Sequence, residues 1–200
     1  MGSLSSRSTF WLLILTVCFA SQAKAQGSRS RTEWGGDTAE RPRHLANLRL
    51  GASTAGGERP EVCMELSPLP FLAVEGCGSG AGFLHQDTSP EMAHFRAKGR
   101  LASWKMQGMW LEPQVSAGFA ELQLGKDESG FHFSSAGPSG VATAGPEVGA
   151  SLRVLLPLAN GVELVGDAQL NAAWMAHAPE LQEPKRAFQP SASVTMGVGW

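Results

Sequence analysis

Residues 190–200 read PSASVTMGVGW, and the pattern they carry decides the fold. Going backwards, Trp200, Val198, Met196, Val194, Ala192, Pro190 and Phe188 fall on one parity. Gly199, Gly197, Thr195, Ser193, Ser191 and Gln189 fall on the other. Side chains alternate across a β-strand, so this is a strand with one oily face and one small, polar face.

The same test repeats upstream. Ala46, Leu48, Leu50 and Ala52 alternate with Asn47, Arg49, Gly51 and Ser53. Val62, Met64 and Leu66 oppose Glu61, Cys63, Glu65 and Ser67, and Leu72 and Val74 oppose Ala73, Glu75 and Cys77. In the fourth segment His94, Arg96, Lys98 and Arg100 share a face against Phe95, Ala97, Gly99 and Leu101. Further segments run over 111–119, 146–154 and 163–174, each with its charges on one side. No stretch keeps a 3.6-residue apolar repeat over three turns, so helix is scarce. The links alternate too. Those near Pro68–Pro70, Gln107–Gly108 and Pro157–Gly161 are tight, whereas those between segments three and four, five and six, and seven and eight are long and polar. Together these predict an all-β fold, an eight-stranded antiparallel up-and-down barrel with turns at one end and loops at the other.

The start of the chain, MGSLSSRSTFWLLILTVCFASQAKAQ, has a short polar stretch with Arg7, an apolar run over Phe10–Ala20, and Ala23-Lys24-Ala25. It reads as a secretory signal peptide over 1–25, since the apolar run is well short of the about 20 residues that span a bilayer as a helix. Residues 26–41 are polar and aperiodic, a flexible leader, which leaves 42–200 for the barrel. Cys18 follows Leu15 at lipobox spacing, but Val17 is wrong for that motif, and Cys18 is expected to leave with the signal. The net charge is −2 with no basic stripe, which argues against a nucleic-acid partner.

Which way the oily face points separates two classes. A soluble periplasmic barrel would bury it and bind a small apolar ligand; a transmembrane barrel turns it to lipid. The polar parity is mostly Gly, Ser, Ala and a few charges, which suits an eight-strand lumen only wide enough for side chains. Glu61, Glu65 and Glu75 on strands two and three stand beside Arg96, Lys98 and Arg100 on strand four, so the lumen charges can pair. Trp104 and Trp110 flank a tight turn, Trp200 belongs to that end, and Trp174 and Phe188 flank a long loop, as an interfacial girdle would. Strict parity from Arg100 and Glu112 would turn Trp104 and Trp110 inward, so the girdle reading needs a bulge or frayed ends there.

If strands two and three form a hairpin centred near Pro70, residues whose numbers sum to 140 face each other. Cys63 then sits opposite Cys77 at bridging distance, and a disulfide is predicted. No metal site is expected, because no His or Cys stands near this pair at ligand spacing, and no cofactor is expected either. Gly76-Cys77-Gly78-Ser79-Gly80-Ala81 matches a dinucleotide-binding turn in letters but is followed by FLHQDTSPEMAHF, which has no helical period, so it reads as a loop.

The export signal, the alternating segments, the loop lengths and the aromatic end together resemble the small eight-stranded outer-membrane β-barrels of Gram-negative bacteria, the class of the OmpA transmembrane domain and OmpX. The resemblance covers about Pro42 to Trp200 by pattern rather than by signature motif. It implies an outer-membrane location, both chain termini on the periplasmic side, outer-membrane lipid around the wall, and a barrel-insertion signal at Met196, Val198 and Trp200 read by the barrel-assembly machinery. The function it implies is a structural or loop-mediated, non-catalytic role. One enzyme alternative stays open: lipid A deacylases are barrels of this size, and their His-x-Ser motif with a later Glu resembles His132-Phe133-Ser134 and Glu147.

Overall fold

The computed structural model describes residues 44–55, 59–79, 90–125, 130–183 and 185–200. The expected export signal and leader, 1–25 and 26–41, lie outside the described residues. The strands are β1 (Ala46–Ser53), β2 (Pro60–Leu69), β3 (Leu72–Gly78), β4 (Pro90–Arg100), β5 (Trp104–Met106), β6 (Met109–Leu124), β7 (Ala142–Pro157), β8 (Glu163–Trp174) and β9 (Phe188–Gly199). A single helical turn, α1 (Ala178–Leu181), lies between β8 and β9.

Successive strands pair antiparallel except β4 and β5, which both pair with β6, β5 extending the β4 side at the turn end; β9 pairs with β1. The result is a closed eight-stranded up-and-down barrel. Closure removes the free strand edges that would otherwise leave backbone N–H and C=O groups without partners in hydrocarbon.

Composition accounts for the ends. Gln107 and Gly108 both take positive φ, as do Asn160 and Gly161, which fits the two-residue reversals joining β5 to β6 and β7 to β8. The β2–β3 turn at Pro70 and Phe71, the start of β1 and the end of β9 lie at this same end. The end of β1, the end of β3, the start of β4, the end of β6, the start of β7 and the end of β8 lie at the other.

Sidedness is the structural fact on which the rest turns. Leu48, Val115, Leu152 and Val198 are 46%, 44%, 45% and 43% exposed, and all lie on the outer wall. Arg49, Glu65, Glu75, Arg96, Lys98, Glu112, Arg153 and Asp167 are buried inside. A water-soluble barrel would have the reverse arrangement; this is the architecture of a transmembrane barrel. Charged side chains fill the middle of the lumen, where a ligand-binding soluble barrel would present apolar surface.

One expectation fails at the turn end. Trp104 is exposed on the wall, but Trp110 turns into the lumen and is only 7% exposed, packed with Leu155 and Val165. The break in strand at 101–103 resets the parity for Trp104, whereas β6 runs in continuous register past Glu112 and carries Trp110 to the inside. Trp110 is therefore a plug residue, not a girdle residue.

Candidate functional site

The lumen is the candidate site, and its construction follows from the register. Cys63 faces Cys77 and Glu65 faces Glu75 across the β2–β3 hairpin, with the two cysteines joined in a disulfide. Glu75 in turn faces Arg96 on β4, and Ala73 faces Lys98. Parity sends these side chains inward, where a barrel of this size brings opposite walls within side-chain reach.

Glu75 is the hub. It accepts from Arg96 Nε at 2.7 Å, from Lys98 Nζ at 3.1 Å, from Gln169 Nε2 at 3.3 Å and from Arg49 Nη2. Arg153, from β7, forks onto Glu65 with Nη1 at 2.5 Å from Oε1 and Nη2 on Oε2, and also reaches Asp167 at 2.7 Å. Lys98 and Arg49 close the circuit on Asp167 at 2.9 and 2.8 Å. Asn47 adds a hydrogen bond to Glu65 at 3.0 Å, and Thr195 accepts from Arg49 at 3.2 Å. Strands β1, β2, β3, β4, β7, β8 and β9 thus meet in one charge layer. Ions taken from water are stabilised only when each finds opposite charge and hydrogen bonds, and here every cation touches two or more carboxylates.

The remaining charges sit toward the ends. His94 Nδ1 lies 2.7 Å from Glu147 Oε1, and its Nε2 lies 3.8 Å from Glu61. Arg100 pairs with Glu112 at 2.9 Å, and His44 with Glu163 at 2.9 Å, both toward the turn end. So Glu65, Glu75, Arg96 and Lys98 share the central layer, whereas Glu61 and Arg100 stand outside it. Arg49, Arg153, Asp167, Asn47 and Gln169 complete it, and their only signal in the sequence is the inward parity they share with the others.

Apolar clusters flank the charge layer. Met92, Ala120, Leu122, Ala173, Met175 and Ala178 pack in the lumen at the loop end. Trp110, Leu155 and Val165 pack at the turn end. A cavity of about 70 Å³ opens at the turn end between Glu65, Lys98, Arg100, Glu112, Gln114 and Arg153. Such a space has room for a few water molecules.

Among the described residues, two groups of ligand atoms come close enough to hold a cation, and neither suits a metal ion. Glu61 lies with Cys63 and Cys77, whose sulfurs are bonded to each other. Glu65, Glu75 and Asp167 converge, but Arg49, Lys98 and Arg153 already occupy the space between them.

The other residues picked out by sequence lie elsewhere. His132 and Ser134 are in the β6–β7 loop, with the His132 carbonyl accepting from Ala144 N at 2.9 Å. Glu147 lies inside the lumen, held by His94 and 3.6 Å from Arg96. Met196 and Val198 face outward on β9. Trp200 seals the β1–β9 seam: its N–H donates to Ala46 O, and its carbonyl accepts from Leu45 and Ala46.

This closed register, apolar wall and ion-paired interior define a small eight-stranded transmembrane β-barrel with a filled lumen. Known structures of similar form include the N-terminal β-barrel domain of Pseudomonas aeruginosa OprF, at 12% identity and TM-score 0.40, covering 77% of this chain and 93% of that one. Neisserial surface protein A is similar at 14% identity and TM-score 0.41, covering 77% of this chain and 91% of that one. Ail, the attachment invasion locus protein of Yersinia pestis, is similar at 10% identity and TM-score 0.38, covering 77% and 93%. No protein-family description and no curated protein matches the chain. The barrel is defined by its own pairing and sidedness, independently of these likenesses.

Proposed function

We propose that the chain is exported and folds into the outer membrane of a Gram-negative cell as a small, non-catalytic barrel whose role is structural or carried by its loops. The carrying observation is the sidedness: uncharged Leu, Val, Met and Ala side chains form the wall, while the ion-paired layer is shut inside. Both ends of the barrel chain meet at the short-turn end, which in this reading faces the periplasm, and the long links face outward from the cell.

The lumen supports a rigid strut rather than a general diffusion pore. A solute would have to part the Arg49–Glu75–Lys98 layer and displace Met92, Leu122 and Met175. The partners in this reading are outer-membrane lipid around the wall and, during insertion, the barrel-assembly machinery, which would read Met196, Val198 and Trp200. Nucleic acid is not a partner in this reading, since the sequence has a net charge of −2 and no basic stripe. The non-catalytic reading is supported by the separation of roles at the one enzyme-like motif, since Glu147 is hydrogen-bonded to His94 in the lumen while His132 and Ser134 belong to the loop.

Fractionation with heat-modifiable electrophoretic mobility tests this reading. The expected result is a band in the outer-membrane fraction that migrates faster unboiled than boiled. A protein recovered without detergent from the soluble periplasmic fraction, or altered lipid A on overexpression, would contradict it.

A further inference from the structure

The phenylalanine of the His132-Phe133-Ser134 stretch belongs to a group of four rings on the outside of the barrel. Phe95 and Phe119 stack on the wall with centroids 5.2 Å apart. Phe131 of the β6–β7 loop packs edge-on against both, at 5.2 and 4.7 Å, and Phe133 packs against Phe119 at 5.5 Å. The loop is pinned there through its backbone: Ala144 N donates to His132 O at 2.9 Å, and Ala142 N donates to Ala136 O at 3.2 Å.

The wall changes character at the level of these rings. Phe95 faces Phe119, and Phe119 faces Pro146. The β7–β8 pairing ends one step short, at Glu147 and Ala173, and the next residue, Trp174, faces Phe188. An outward row of Phe95, Phe119, Pro146, Trp174 and Phe188 therefore crosses five strands. One step toward the turn end the outward positions are Ala97, Ala117, Val148, Ala172 and Pro190, all uncharged. Toward the loop end they include Glu91 and Glu121, which are buried beneath neighbouring structure. An aromatic row between an apolar wall and carboxylates is where acyl chains give way to head groups. Phe131 and Phe133 reach down to that row and leave 46% and 51% of their surface uncovered.

We propose that Phe131 and Phe133 are a membrane anchor: their rings enter the acyl-chain margin of the leaflet on the loop side and hold the β6–β7 loop down on the bilayer. The partner is the hydrocarbon of the surrounding lipid, which suits large apolar rings on a loop tied to the wall through the His132 carbonyl between them. This rests on the membrane reading above and adds that this loop is a lipid contact rather than a free extracellular arm.

Nitroxide accessibility tests it in the full chain carrying Cys18→Ser, where the disulfide leaves an added cysteine as the only free thiol. The label is placed through Phe131→Cys, Phe133→Cys, Leu170→Cys on the mid-wall and Pro138→Cys at the exposed loop, one at a time. Each variant is folded into phosphatidylcholine vesicles and checked by heat-modifiable mobility. The expected result is an oxygen-to-nickel-chelate collision ratio at 131 and 133 several-fold above that at 138 and approaching that at 170. Labels at 131 and 133 as water-accessible as the one at 138, or shielded from both reagents, with 170 still lipid-like, would overturn the anchor alone. A water-like label at 170 as well would overturn the membrane reading and the anchor with it.

Discussion

Neutralising Glu75 by Glu75→Gln probes the charge layer at its hub. The substitution keeps the volume and removes one negative charge from among three cations. Their fates differ. Lys98 keeps Asp167 at 2.9 Å and Glu65 at 3.8 Å, and Arg49 keeps Asp167 at 2.8 Å and Glu65 at 3.4 Å. Arg96 loses its 2.7 Å partner and is left with Glu147 at 3.6 Å. Breaking a buried ion pair from one side costs about 3–5 kcal/mol. Because two of the three cations are still neutralised, the lower end, about 3 kcal/mol, is expected, with most of it residing on Arg96. Reversible urea unfolding in lipid vesicles measures this, and a double-mutant cycle locates it. Adding Arg96→Met to Glu75→Gln should recover at least about 1.5 kcal/mol, because it removes the orphaned charge. A loss below about 1 kcal/mol for Glu75→Gln, or a double variant equal to the sum of the singles, would refute the account of the lumen as a coupled ion layer.

Other consequences follow from named contacts. The disulfide closes a sequence separation of 14, so its reduction should lower unfolding stability by about 3 kcal/mol; intact mass of the purified exported protein should show no free thiol at Cys63 or Cys77. Leu170→Arg places a charge on the outer wall where Leu170 is 68% exposed; in a bilayer this should cost about 2–4 kcal/mol near the midplane, seen in the same urea titration. At Gly197 a Cβ would strike the Leu48 carbonyl oxygen and Arg49 Cα across the β1–β9 seam, so Gly197→Ala should destabilise by about 2 kcal/mol or more and reduce the fast-migrating, folded band. Trp200→Ser should lower the assembled fraction in outer membranes while a chain refolded in detergent still closes, since the proposed role of Trp200 lies in insertion.

Much of the architecture was readable because a half-buried strand writes its two faces on alternate residues. The eight segments, the turn and loop ends and the Cys63–Cys77 pairing all follow from parity plus one hairpin centre. What parity does not encode is which inward residues meet across a closed lumen. Arg49, Arg153 and Asp167 come from β1, β7 and β8, distant in sequence from Glu65 and Glu75, and their convergence depends on barrel diameter and strand tilt. Strand ends were also opaque. Trp110 reads as a girdle residue beside a turn, yet unbroken register carries it inside, and Met92, Leu122 and Met175 form an apolar plug that looks in sequence like irregular loop margins. The short α1 lies within a stretch too brief to show a helical period.

Photolabelling from within the bilayer addresses the central claim most directly. With a carbene-generating lipid analogue in vesicles holding the folded chain, label should appear on peptides carrying outward Leu48, Val115, Leu170 and Val194, and at the residue level should skip Arg49, Arg96, Lys98 and Asp167. An unlabelled wall, or label on those lumen residues, would contradict a barrel whose apolar face meets hydrocarbon and whose charges lie within.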